Sequence, residues 1–459
     1  MRASRRRHPL LQRPGRGACG AAALVASSLC WSTWPTAFTQ SAQPPKGLPR
    51  GAGVHAAAVQ GAVVQELLHE SLDAEIRELA AECLPSEEDQ QRRQRLLREI
   101  QAAYAEATGD EEVRVLMYGS AANGCGERTS DIDAAVVTSG MAAWNFSEVG
   151  PKSYQALAGG TLRRVFNACA RIGFRRLSFL PAARIPLLTL IKQGLSFDLT
   201  CNSLPVHNSR LLHTYTELCG AMPQLAVVVK RWAKASGLVG SYRGWISSYS
   251  YTLMVVYYLQ QEGLLPSLHA LAEAAGLEPV EVEEMGRQMS FAFCSADGAR
   301  QAWRPPATPG SVGELLHGFF DFYASEYGWG DEVISVRLGR RVRLSEDPEV
   351  FSRLNRKDSE RLSRLLLEDP IEVHRNLNFA LQARRTELLR EAFALAARSL
   401  AEGRPLAQLL AGTPPPGAEG GRPPRTRRPA AARGGGMRRG QARGGPRSPR
   451  RLPRAPPGA

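Results

Sequence analysis

The stretch from Tyr118 to Val137, YGSAANGCGERTSDIDAAVV, constrains this chain more than any other. A Gly-Ser pair and a loop of small residues lead into a short apolar run, and the run carries two aspartates one residue apart. On a β-strand, residues i and i+2 share a face, about 7 Å apart along the chain. Asp131 and Asp133 therefore aim two carboxylates into one space, with Ile132 turned to the core behind them. Like charges held this close repel one another, and a hard divalent cation resolves the conflict. Gly119 lets backbone come close to a phosphate, and the Ser120 hydroxyl can donate to it. The loop between them reads as flexible. Taken singly, each piece is an ordinary turn or strand end; together they describe a site.

A third carboxylate comes from LSFDLTCN, where Leu195, Phe197 and Leu199 alternate with Ser196, Asp198 and Thr200. Three carboxylates can hold two Mg²⁺ ions about 4 Å apart, with Mn²⁺ able to substitute, and such a pair suits phosphoryl transfer. Around these strands the pattern is helical. Residues 66–107 form two expected helices, the second opening with Ser86 three residues before Asp89, close to a capping box. TLRRVFNACARIGF is a further helix before the strands of the third carboxylate. From 206 to 402 helices dominate: LLHTYTELCG and AVVVKRWAKASG each end at a glycine, and SYTLMVVYYLQQEG is apolar nearly all round, as a buried central helix would be.

Charge is distributed unevenly. The formal net charge is +14, yet residues 1–65 hold eight Lys or Arg with no acid, and 412–459 hold twelve Arg against Glu419 alone, which leaves −5 for residues 66–411. The basic signal lies in the two ends. Arg2, Arg5, Arg6 and Arg7 precede a modest apolar run, Ala18 to Trp31, too weak and alanine-rich for a membrane span. Residues 1–65 read as a targeting leader and linker for an organelle, plastid or mitochondrion, with an unstructured extension of a cytoplasmic protein as the alternative. Residues 403–459, rich in Arg, Gly and Pro, are expected to be disordered and to hold RNA backbone through charge. The eight cysteines form no C-x-x-C pair, which argues against a zinc ribbon or a disulfide scaffold.

The string G-S-x3-G-x5-S-D-I-D, Gly119 through Asp133, resembles the signature of the DNA polymerase β-like nucleotidyltransferases, and most of all that of the noncanonical poly(A) polymerases and terminal uridylyltransferases. Cys125 stands where that family often has leucine. The resemblance continues through SFDLTCN, HNSRLLHTY, VVVKRWAK, ISSYSYTLM, VGELLHGFFDFYASEYGW and LEDPIEVHRNL, across residues 66–402. It implies an α+β fold: a mixed-sheet palm over 108–205, docked on a helical domain made from 66–107 and 206–402. The helical domain includes a poly(A)-polymerase-associated segment over 311–376.

The resemblance also implies roles. Asp131 and Asp133 bind metal, and Asp198 is the third carboxylate, placed to help deprotonate an RNA 3′-hydroxyl. Asn208 contacts the ribose, with Ser209 in place of a commoner threonine. Lys230 and Lys234 neutralise the triphosphate. Ser248 offers a hydroxyl at a helix start, and Tyr249 stacks on the base. Uracil-choosing members often carry a histidine just before the asparagine of H-N; here the order is His374, Arg375, Asn376, so either His374 or Arg375 borders the base. The expected activity is template-independent addition of ribonucleotides to the 3′ end of single-stranded RNA. UTP is favoured, an ATP-using poly(A) polymerase is the alternative, and a catalytically inactive RNA-binding scaffold is the alternative of another class. The block over 311–376 argues against a CCA-adding enzyme or an oligoadenylate synthase, which share only the first motif.

Overall fold

The computed structural model describes residues 52–143, 151–284, 287–305, 310–343, 345–354, 365–378, 381 and 383–412. The expected leader up to residue 51 and the Arg-rich tail from 413 lie outside the described residues. The chain divides into two units after residue 58. Of the first, only its helical residues from Ala52 are described; the sheet and the helical domain belong to the second.

Helix α1 runs Ala52–Cys83, starting well inside the stretch expected to be linker. Helix α2, Glu87–Thr108, opens on the anticipated capping box: the Asp89 amide donates to Ser86 Oγ and the Ser86 amide to Asp89 Oδ2. Five strands then form one mixed sheet: β1 (Arg114–Tyr118), β2 (Ile132–Val137), β3 (Arg175–Leu180), β4 (Leu187–Lys192) and β5 (Leu195–Thr200). Their spatial order is β1-β2-β5-β4-β3, with β2 and β5 parallel and the other neighbours antiparallel. Helix α3, Pro151–Arg171, supplies the crossover from β2 to β3.

The period-2 pattern decides which face of the sheet is buried. Ile132, Ala134 and Val136 of β2 and Phe197 and Leu199 of β5 point into one core with Leu162 and Val165 of α3. Leu96, Leu97, Ile100 and Tyr104 of α2 belong to the same core. Helix α2 thus packs on the sheet, whereas Leu72 and Ile76 of α1 pack with the helices that follow the sheet. An amphipathic stripe shows that a helix is buried on one side but not against what.

The helical domain continues through α4 (Leu204–Leu218), α5 (Ala221–Ala235) and α6 (Ser248–Gln261). Every residue of α6 from Ser250 to Gln260 is buried, as its all-round apolar pattern anticipates. Gly237 takes the expected left-handed φ of 70° just past α5. Gly220 does not: its φ is −64° and it begins α5 instead of closing α4. No helix among the described residues is long and apolar enough to cross a membrane.

Candidate active site

The sheet brings two of the three aspartates together. Asp133 and Asp198 are Cα partners on the parallel strands β2 and β5. Both lie on the face away from the palm core, since their strand neighbours Ile132, Ala134, Phe197 and Leu199 fill that core. Asp131 is exposed and stands one residue before β2 begins, so the strand expected to carry both carboxylates of the D-x-D carries only the second. Among the described residues no three His, Cys, Asp or Glu side chains form a closed ligand set. The arrangement is a half-buried pair with an exposed third carboxylate at its rim.

That pair is electrostatically unfavourable as it stands. Burial pushes the Asp133 carboxyl up to about 7, with the charges of Asp198 and Asp131 adding to the effect. Burial also raises Asp198, the hydroxyl of Thr189 opposes the shift, and Asp131 adds to it. Asp198 Oδ1 is buried with no hydrogen-bond partner. Oxygen-only donors, a buried orphan oxygen and carboxylates that hinder one another's ionisation together fit a hard divalent cation.

The turn before the pair is built around one glycine. Gly119 has φ 69°, and a Cβ there would overlap Asp133 Oδ2. Its amide donates to Ser209 Oγ at 2.7 Å, and Ser209 Oγ donates in turn to the Pro205 carbonyl at 2.7 Å. The next loop, whose composition reads as flexible, is instead clamped by cations. Arg93, buried in α2, donates to the carbonyls of Glu127 and Arg128 at 3.0 and 2.9 Å. Lys230 donates to the Cys125 carbonyl, and Arg231 pairs with Glu127 at 2.7 Å. Gly126 packs so closely on the Ser120 carbonyl that a Cβ would overlap it. The loop is thus a fixed wall beside the carboxylates.

Comparison with known proteins agrees with this geometry. Residues 72–217 match the family described as "Poly(A) RNA polymerase, mitochondrial-like, central palm domain", and residues 311–375 match "Cid1 family poly A polymerase". The chain is 31% identical over 261 residues to poly(A) RNA polymerase GLD2-A of Xenopus laevis, covering 56% of this chain and 47% of that one. It is 26% identical over 291 residues to human terminal uridylyltransferase 7, covering 61% of this chain and 18% of the relative. A solved structure described as a cytoplasmic RNA terminal U-transferase superposes with a TM-score of 0.58 at 24% identity, over 75% of this chain and 99% of that one. Two segments of the chain thus match poly(A)-polymerase family models, and the relatives it resembles are poly(A) RNA polymerases and terminal uridylyltransferases. Its fold is the polymerase β-like nucleotidyltransferase fold. It spans about half the length of GLD2-A, and less of the uridylyltransferase.

The remaining residues expected from this family divide by how they are bonded. Asn208 on α4 has a buried Oδ1 without a partner, as a substrate contact would. Ser209 beside it accepts from the Gly119 amide and donates to the Pro205 carbonyl, which ties α4 to the glycine turn. The Gly119 amide is likewise engaged by Ser209, leaving Ser120, half-buried in the short 3₁₀ turn, as the candidate phosphate donor. Lys230, whose pKa burial lowers, is tied to the loop, while Lys234 one turn further on is exposed. Ser247 caps α6, accepting from the Ser250 amide, and Ser248 is exposed in the first turn.

Tyr249 packs against the helical core with its hydroxyl buried and unpartnered. Burial raises its pKa, with Asp369 adding, Arg375 opposing and Glu372 adding. The expected stacking residue and the turn expected to border the base are therefore neighbours. In that turn the buried Asp369 accepts from the amides of Ile371 and Glu372 at 3.0 Å each. Arg375 donates to Glu372 at 2.6 Å, and His374 is exposed. Sequence reasoning missed Asp369, Thr189 and Arg93. Only Asp369, set between the apolar Leu365, Leu366 and Leu367 and the apolar Pro370 and Ile371, carried a signal of burial, which it shares with its neighbour Glu368.

Proposed function

We propose that the chain extends the 3′ end of single-stranded RNA without a template, taking UTP in preference to ATP. One observation carries this reading: Asp133 and Asp198 sit in register on adjacent parallel strands beside a glycine turn that admits no side chain. Asp131, Asp133 and Asp198 would hold two Mg²⁺ ions, or Mn²⁺, which would supply charge neutralisation for an attacking 3′-hydroxyl and a departing pyrophosphate. Asp198, with one buried oxygen unpartnered, is positioned to take the proton of that hydroxyl. Asn208 reads the ribose, its amide able both to donate to and to accept from a 2′-hydroxyl. Ser120 and Lys234 meet phosphate, Lys230 fixes the wall against which phosphate rests, and Tyr249 stacks on the base without naming it.

Base choice rests on Arg375. A guanidinium offers donors only, which suits the carbonyl-bearing edge of uracil and opposes the exocyclic amine of adenine. The similarity to GLD2-A favours ATP as the second reading. The test offers a single-stranded RNA with each nucleotide triphosphate separately and Mg²⁺, then reads the product ladder. Growth with UTP above ATP supports the first reading, growth with ATP above UTP the second, and growth with none sinks both. The N-terminal segment would direct the enzyme to an organelle; a fluorescent fusion of residues 1–65 that stays in the cytosol would refute that.

A further inference from the structure

Between Glu148 and Asp198 the sequence holds eight Lys or Arg and no acid. The body over 66–411 carries −5, so the rest of that body carries −13. This segregation maps onto one place in the fold, α3 and the edge strand β3. Lys192 is neutralised there by Glu99 at 2.6 Å. Arg163, Arg164, Arg171, Arg175, Arg176 and Arg184, together with Lys152, are all exposed, and among the described residues none of them is paired with a carboxylate. Arg176 lies over the Phe166 ring at 4.9 Å and Arg163 over Phe179 at 5.8 Å, so two guanidinium planes are held in place by aromatic faces. Exposed apolar side chains are interspersed: Leu177 is 58% and Leu180 52% exposed on β3, with Leu157 and Ile172 beside them on α3 and at its end.

The sheet connects this edge to the carboxylates. Asp198 is opposite Thr189 on β4, and Thr189 is opposite Ser178 on β3, where Ser178 Oγ donates to Thr189 Oγ1 at 2.8 Å. By the same register Arg175 opposite Ile191 and Leu180 opposite Leu187 share the face of Asp198, whereas Arg176 opposite Leu190 lies with Arg163 and Arg164 on the α3 side, across the edge strand. Two strand spacings separate Asp198 from Ser178, about 10 Å, so a few nucleotides upstream of a 3′ end at the carboxylates reach the edge.

We propose that the β3 edge is a track for the single-stranded RNA upstream of the reacting end, which passes from Arg175 and Leu180 on the carboxylate face round the edge to Arg163, Arg164 and Arg176 on the α3 side, its phosphates neutralised by these arginines and its bases resting on Leu177, Leu180 and the held guanidinium planes. The mixture of cations and apolar side chains suits a strand with unstacked bases better than a duplex, which offers phosphates alone at such a surface. The proposal rests on the RNA-extending reading above and adds how the substrate body is held.

The test compares the full chain with its R163Q/R164Q/R175Q/R176Q variant, binding a fluorescent 20-nucleotide single-stranded RNA and a trinucleotide over a salt series. The Arg-rich tail is present in both proteins and cancels. The variant is expected to bind the 20-mer at least 10-fold more weakly and to lose about 3 from the log–log salt slope, at about 0.7 per phosphate contact removed. The advantage of the 20-mer over the trinucleotide shrinks accordingly. The matching R→K variant keeps the slope and loses affinity only in part, which separates charge from misfolding. Unchanged affinity and slope would overturn the proposal. So would a loss confined to duplex RNA or to vesicles of anionic lipid, or a parent dimer that the variant turns into monomer. Binding needs no nucleotide, so a parent that binds through this face yet extends nothing leaves the surface standing and removes the activity.

Discussion

Replacing Asp133 with asparagine should make the metal-free protein more stable and abolish its chemistry. The Asp133 carboxyl is pushed from 3.8 up to about 7 by burial and by the two neighbouring carboxylates. A folded-state pKa above the unfolded one means that its contribution to stability is intact below pH 4 and is lost as pH rises through 7. The rise from 3.8 to about 7, at about 1.36 kcal/mol per pH unit, makes the ionised carboxylate about 4 kcal/mol unfavourable at pH 8, an upper value because the side chain is only partly buried. An asparagine side chain at this position, uncharged and nearly isosteric, escapes that loss. Urea denaturation in EDTA should therefore show D133N more stable than the parent by about 2–4 kcal/mol at pH 8, falling below about 1 kcal/mol at pH 4. Added Mg²⁺ should stabilise the parent at pH 8 and leave the variant nearly unmoved. Equal stability at pH 8, or equal gains from Mg²⁺, would refute the reasoning that these carboxylates await a cation.

Three more outcomes are expected from the contacts. Gly119→Ala forces a side chain into a left-handed backbone and into Asp133 Oδ2, so incorporation should fall at least 100-fold while the thermal midpoint moves by only a few degrees, since the strain is about 1–2 kcal/mol. Ser209→Ala leaves the Gly119 amide without its acceptor; stability should drop by about 1–3 kcal/mol, and kcat should fall more than KM rises if Ser209 positions the turn. Arg375→Ala frees Glu372 and removes the donors from the base edge, so the ratio of UTP to ATP incorporation should fall several-fold, read from parallel product ladders.

The palm was legible in the sequence where one physical rule acted alone. Alternation in β5 set Phe197 and Leu199 inward and Asp198 outward, and the structure places them so. The all-round apolar run of α6 announced burial, and Ser86 with Asp89 announced a helix start. Legibility ended where the partner decides. The stripe of α2 could have faced either core, and it packs on the sheet. Arg93 is one of many charged residues in its helix, and nothing local says that it alone is buried under the loop carbonyls. The small residues after Gly119 read as mobile because their composition is that of a turn, but three cations from α2 and α5 hold them. The bond from the Gly119 amide to Ser209 joins residues 90 positions apart, and no local pattern announces it.

The most direct test of the central claim is single-nucleotide incorporation by the parent and by Asp198→Ala, with Mg²⁺, one labelled RNA and one triphosphate at a time. The account predicts an extended product from the parent with UTP or ATP, and none from a variant that keeps its fold by circular dichroism. Extension that survives loss of Asp198, or a folded parent that fails to extend RNA with any of the triphosphates, would contradict it.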